Sequence, residues 1–107
     1  MWYNAAMIPL IQHNLDALRD LCRKYEVKRL ELFGSAARGD FTEESDIDFF
    51  VEFQNYADPR IADFWFGLQE DLEELFGVRV ELTSALTSTN PYFLEVANRH
   101  RVALYAA

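Results

Sequence analysis

The chain has 107 residues, half of them hydrophobic and 15% aromatic, and a formal charge of −8. That length supports one core and leaves little room for a separate substrate lobe, so a single domain over residues 1–107 is expected, and the composition excludes a disordered chain. The negative charge argues against a general nucleic-acid binder, which gains affinity by neutralising phosphates with Lys and Arg, but it favours a basic protein partner.

A nucleotide substrate stays open, because a metal-bound triphosphate arrives with much of its charge masked. No apolar run approaches the length of a bilayer span, and the opening MWYNAAMIPL lacks a basic n-region, so neither membrane insertion nor secretion is expected. The single cysteine, Cys22, falls in an apolar helical pattern; a buried free thiol suits a reducing cytoplasm.

In chain order, Ile11, Leu15, Leu18, Cys22 and Tyr25 recur at helical spacing and predict a first helix from about Ile8 to Tyr25, with Pro9 in its first turn. Val27 to Phe33 reads as a strand, broken by Gly34-Ser35. A polar connection leads to Asp46–Phe53, where Ile47, Phe49, Val51 and Phe53 alternate with Asp46, Asp48, Phe50 and Glu52, giving one wholly apolar face. Asn55 to Pro59 is a loop. Ile61, Phe64, Leu68, Leu72, Leu75 and Phe76 form a helical stripe that Gly77 can end as a C-terminal cap. Val78, Val80 and Leu82 alternate with Arg79 and Glu81 in a third strand. Asn90-Pro91 opens a short helix to about Asn98, and Val102 to Tyr105 forms a final edge strand. The order α-β-β-α-β-α-β predicts an α/β domain, a small mixed sheet packed by helices.

Chemistry concentrates in LFGSAARGDFTEESDIDFFVEF, residues Leu32 to Phe53. Side chains two apart on a strand share a face at about 6.5–7 Å, so Asp46 and Asp48 can converge on metal ions about 3.5–4 Å apart, as two-metal phosphoryl and nucleotidyl chemistry requires. Glu81 points away from the apolar face of its strand. If that strand neighbours the aspartates, Glu81 could complete a metal shell or take a proton from an attacking hydroxyl. Gly34 lets the backbone approach a ligand closely, and Ser35 could add a hydroxyl to a phosphate oxygen. Arg38 could contact a phosphate or pair with Asp40 or Glu43. Any one of these alone reads more simply as an ordinary turn or a solvated strand end; the joint placement favours a site.

Gly34-Ser35, ten residues from Ala36 to Ser45, then Asp46-Ile47-Asp48 match the signature G-S-x(10)-D-x-D. With its Ala-Arg-Gly stretch, this segment resembles the minimal nucleotidyltransferases of the polymerase-beta-like superfamily, a resemblance that extends over nearly the whole chain. It implies the polymerase-beta-like mixed-sheet fold and transfer of a nucleotide from ATP, with two magnesium ions at Asp46 and Asp48. Gly34 and Ser35 would form the triphosphate turn, and Arg38 fits the family's arginine. Glu81 would be the third acid, where many relatives carry Asp. Small single-domain members are commonly paired with a helical HEPN ribonuclease toxin, which they neutralise by moving AMP onto a tyrosine; a hetero-oligomer with such a toxin is therefore implied. Nucleotidyl transfer to a small molecule such as an aminoglycoside, or inhibition by binding alone, are the alternatives.

Other residues have plainer readings. His13 and His100 lack metal-like partners at helical spacing. The run Glu70-Asp71 and Glu73-Glu74 reads as a solvated helix face that a basic partner could use. Phe64, Trp65 and Phe66 form a stripe wider than one buried face requires, with core packing the first explanation and a partner interface the second. Trp2 and Tyr3 are expected to fray unless they dock.

Overall fold

A computed structural model describes residues 8–34, 45–84 and 102–107. The helix expected from Asn90 to Asn98 lies outside the described residues, as do Trp2, Tyr3 and His100. The elements are α1 (Ile8–Gln12), α2 (Leu15–Lys24), β1 (Val27–Phe33), β2 (Ile47–Phe53), α3 (Ile61–Phe76), β3 (Val80–Thr83) and β4 (Val102–Ala106).

The strands form one mixed sheet in the order β3-β2-β1-β4. β1 pairs antiparallel with both β2 and β4, whereas β2 and β3 run parallel. A parallel pair needs a crossover, and α3 supplies it.

The first helix is two helices. Asn14 donates its side-chain Nδ2 to the Leu10 carbonyl at 2.9 Å, taking the acceptor that its own backbone N–H would use in a continuous helix. That N–H turns instead to the Ile11 carbonyl at 3.1 Å, and the chain restarts with the Leu18 N–H on the Asn14 carbonyl at 2.8 Å. The apolar stripe survives the break: Ile11, Leu18 and Cys22 are all buried. Burial pushes the Cys22 thiol up to about 12, so it stays protonated and packs as a small hydrophobe.

One face of the sheet carries the core. Leu30 and Leu32 of β1 stand beside Val51 and Phe49 of β2, and Ile47 and Phe49 stand beside Val80 and Leu82 of β3. Leu18 and Cys22 of α2 and Leu68, Leu72 and Phe76 of α3 cover them. Phe76 stacks on Phe49 with ring centroids 6.1 Å apart. Phe64 and Trp65 also turn to the core, both against Phe53. Phe66 does not; it is 63% exposed.

Before α3, Arg60 grips Asp58 through two nitrogens, Nε at 3.0 Å and Nη2 at 2.8 Å, while the Arg60 backbone N–H donates to the same carboxylate. These bonds hold the Asp58 carboxyl down at about 2 and fix the turn into the helix. Gly77 ends α3 in the left-handed conformation at φ 71°, its N–H on the Glu73 carbonyl at 2.8 Å. The third strand begins at Val80 rather than at Val78. Val80 also marks where α3 closes this edge of the sheet: Glu73 accepts the Val80 N–H at 3.0 Å and Gln69 donates to its carbonyl at 2.9 Å. Such side-chain caps occupy groups that would otherwise invite another strand.

Helix α2 meets α3 where Tyr25 crosses Gly67. The Tyr25 hydroxyl donates to Asp71 at 2.5 Å and Lys24 reaches the same oxygen at 3.2 Å. These bonds draw the Asp71 carboxyl below its ordinary value, the tyrosine bond contributing most, and raise the Tyr25 phenol. A methyl group at Gly67 would sit 2.7 Å from the Tyr25 ring. In an open helix, Gly→Ala gains about 1 kcal/mol. Here the ring is pinned by Asp71 and lies edge-on to Phe64, so overpacking of about 1–3 kcal/mol outweighs that gain. Gly67→Ala should therefore lower the thermal midpoint by about 5 °C in a melting experiment; an unchanged or raised midpoint would mean that the ring yields freely.

Candidate active site

The opposite face of the sheet is built by the alternate residues of the same strands. Register places Phe33 of β1 beside Asp48 of β2, and Asp48 beside Glu81 of β3. One step further along, Glu31, Phe50 and Thr83 form the next row. Residues directly opposite in neighbouring strands share a face with backbones about 4.8 Å apart. Asp48 and Glu81 are therefore immediate neighbours, Asp48 half-buried and Glu81 exposed.

Like charges placed opposite each other on a sheet cost stability, so a cation bound between these two would be favoured. Asp46 is half-buried and lies one residue before β2 begins, where the Ile47 N–H bonds to the Arg79 carbonyl at 2.9 Å. The structure thus seats the start of β2 against the entry to β3, with Asp46 at that junction.

Gly34 closes the site from the β1 side. Its φ is 76°, a conformation that glycine adopts without strain, and it turns the chain out of the sheet directly after Phe33. A Cβ at this position would fall on the Asp48 carboxylate, meeting Oδ2 first and lying 3.2 Å from Cγ. The glycine thus lets main chain and carboxylate touch. Ser35 and Arg38, the other two expected phosphate contacts, lie outside the described residues.

Among the described residues no group of three or more His, Cys, Asp or Glu side chains is set to hold a metal ion. The pair that the register brings together, Asp48 and Glu81, is a two-carboxylate set of hard oxygen donors. Magnesium fits such a set, since it takes one or two carboxylates and completes its shell with phosphate oxygens and water.

Glu31 is a feature of this face that the sequence reading passed over. It is only 8% exposed, sits one row from Asp48, and has Arg29 Nε 3.5 Å from its carboxylate. Arg29 continues to Glu52 at 3.1 Å, and Lys28 reaches Glu52 at 3.5 Å. Basic side chains thus attend this end of the acidic face. The alternation Leu30-Glu31-Leu32-Phe33 carried the signal, because Glu31 falls on the same side of β1 as Phe33.

The nucleotidyltransferase-domain family model matches residues 16–104. A Methanocaldococcus jannaschii protein named a protein adenylyltransferase is 46% identical over 69 residues, 64% of this chain and 68% of that one. A solved minimal nucleotidyltransferase superposes with a TM-score of 0.74 at 30% identity, covering 89% of this chain and 93% of the other. A chain from the complex of tri-AMPylated HEPN toxin with MNT antitoxin from Shewanella oneidensis shares the fold at 18% identity, with a TM-score of 0.63 and coverage of 90% and 72%.

Proposed function

Because the chain belongs to the nucleotidyltransferase-domain family, we propose that it moves AMP from ATP onto a tyrosine of a HEPN-type toxin and thereby acts as its antitoxin. The observation that carries this reading is the Asp48–Glu81 pair, in register on one sheet face with the Gly34 main chain against Asp48. The protein acceptor follows the name of the M. jannaschii relative, and the toxin partner follows the S. oneidensis complex. The buried thiol of Cys22 supports a reducing, cytoplasmic setting. Among the described residues no helix is long and apolar enough to cross a membrane.

Asp48 and Glu81 would hold magnesium, with Asp46 just before β2 as a further oxygen donor once the nucleotide is bound. The full site would take two ions, and bound magnesium would supply charge neutralisation to the triphosphate. Gly34, continuing into Ser35, admits the β- and γ-phosphates close to main-chain N–H groups. Arg38 balances charge on the departing pyrophosphate. The proton of the acceptor hydroxyl would go to Glu81, exposed beside Asp48, or to bulk water. The acceptor oxygen forms a bond to the α-phosphorus, the bond from that phosphorus to the bridging oxygen breaks, and pyrophosphate leaves. The chain's contribution is positioning and electrostatics rather than covalent chemistry.

Incubation with a purified HEPN-type toxin, magnesium and ATP labelled in the α-phosphate tests this. Label on a toxin tyrosine, with none transferred from γ-labelled ATP, is the expected result. Label on a small acceptor alone, or inhibition of the toxin without label, would overturn it.

A further inference from the structure

Five residues of α3 face solvent: Ala62, Asp63, Phe66, Glu70 and Glu74. Asp63, Phe66, Glu70 and Glu74 follow one another at three- and four-residue steps, so they form a single stripe along the helix. The stripe contains an aromatic ring that the core does not take and three carboxylates. The whole helix carries five acids and no Lys or Arg.

Helix stability accounts for Asp63, an acid in the first turn, but not for Glu70 and Glu74. Glu70 and Glu74 are like charges at i,i+4, and acids in the last turn oppose the helix dipole, which favours cations there. Two other acids of the helix have structural work: Asp71 holds Tyr25 and Glu73 caps β3. Glu70 and Glu74 have no such task among the described residues.

Beside Glu74 the stripe continues into a groove of about 340 Å³ between α2 and α3. Its apolar lining is Leu21 and Leu75, with Ala17 exposed beside them. Its acidic rim is Asp20, which pairs with Arg23, Asp71, which holds Tyr25 and Lys24, and Glu74, whose carboxylate is the one these bonds leave to a partner. An apolar floor with an acidic rim is the complement of a helix that presents Leu along one side and Lys or Arg beside it. A second copy of this chain is a poor occupant, because each copy brings a charge of −8. The sheet edges are poor routes as well, with β3 capped by Gln69 and Glu73, and the Leu104 carbonyl of β4 taken by Arg19 at 3.3 Å.

We propose that the outward stripe of α3 and the α2–α3 groove form a docking surface for a basic amphipathic helix of a partner protein, with Phe66 as the apolar anchor. This rests on the reading that the chain acts on a protein, and it adds where that protein is held. Because α2 and α3 cover the core face, the surface lies across the sheet from Asp48 and Glu81. Docking and chemistry are thus separate functions of opposite sides of the sheet.

The probe is a synthetic Leu/Lys amphipathic helix, with its Leu/Glu counterpart as control, titrated against the full chain by fluorescence anisotropy and by amide NMR. The Lys helix should bind, shift the amides of α2 and α3, and weaken at high salt. Phe66→Ala, which leaves charge unchanged, should weaken binding about tenfold or more. The double change Glu70→Lys and Glu74→Lys should abolish binding without lowering the thermal midpoint, because the two lysines repel no more than the two glutamates did and a cation in the last turn suits the helix dipole. Asp48→Asn should bind the helix like the unaltered chain, so loss of transfer and loss of docking are read independently. Shifts confined to the site face, affinity indifferent to Phe66→Ala, or a dimer of this chain formed through Phe66 would each overturn the proposal.

Discussion

Asp48→Asn should lower AMP transfer about a thousandfold or more while leaving the thermal midpoint within a few degrees. The magnitude follows from the role proposed for the carboxylate: an interaction aimed at the reacting phosphate is realised in the transition state, and single losses of that kind cost about 10²–10³ in rate. Losing half of a two-carboxylate set adds the loss of cation affinity. Stability should move little, because Asn fills the same space on β2 and removes a like charge from beside Glu81. Turnover with labelled ATP and a melting curve on the same preparation check both halves. Retained transfer would remove Asp48 from the site, and a collapsed midpoint would make its role structural.

Gly34→Ala is the second large effect, and it acts through geometry. The added methyl lands on the Asp48 carboxylate and forces an L-residue to hold φ at 76°. Strain of this type costs about 1–3 kcal/mol. Displacing a reacting group by about 1 Å costs about a hundredfold in rate. Both losses are expected, seen in urea unfolding and in transfer rate.

Gly77→Ala is the internal control. Gly77 has nearly the same φ, 71°, but a Cβ there meets nothing within 4 Å. It should therefore show the backbone strain and keep the rate. If Gly34→Ala loses no more activity than Gly77→Ala, the contact with Asp48 has no part in function.

The fold was most legible where one local pattern dominates. The run from Val27 to Phe33 matched β1 to the residue, alternation gave β2 its buried face, and Gly77 announced the end of α3. The break at Asn14 was hidden because the apolar spacing runs through it unchanged; only the competition of a side-chain amide for the Leu10 carbonyl reveals it. Phe64, Trp65 and Phe66 look alike in sequence, yet the helical rotation sends the first two to Phe53 and the third outward.

For the site, the motif identified Asp48 and Gly34 as candidates but carried no information on their contact. Nor could it say that β3 lies parallel beside β2, because that pairing depends on a crossover and on packing rather than on spacing. Glu31 went unnoticed for a related reason. A carboxylate between Leu30 and Leu32 gains meaning only once its neighbours across the sheet are known.

The central claim is that a divalent cation and a nucleotide tail occupy the face shared by Asp48 and Glu81. Manganese, added with a non-hydrolysable ATP analogue and followed by paramagnetic broadening of amide signals, tests it most directly. Broadening centred on Gly34, Asp48 and Glu81, and lost in Asp48→Asn, is the predicted result. Broadening centred on the acids of α3, or unchanged in Asp48→Asn, would contradict it.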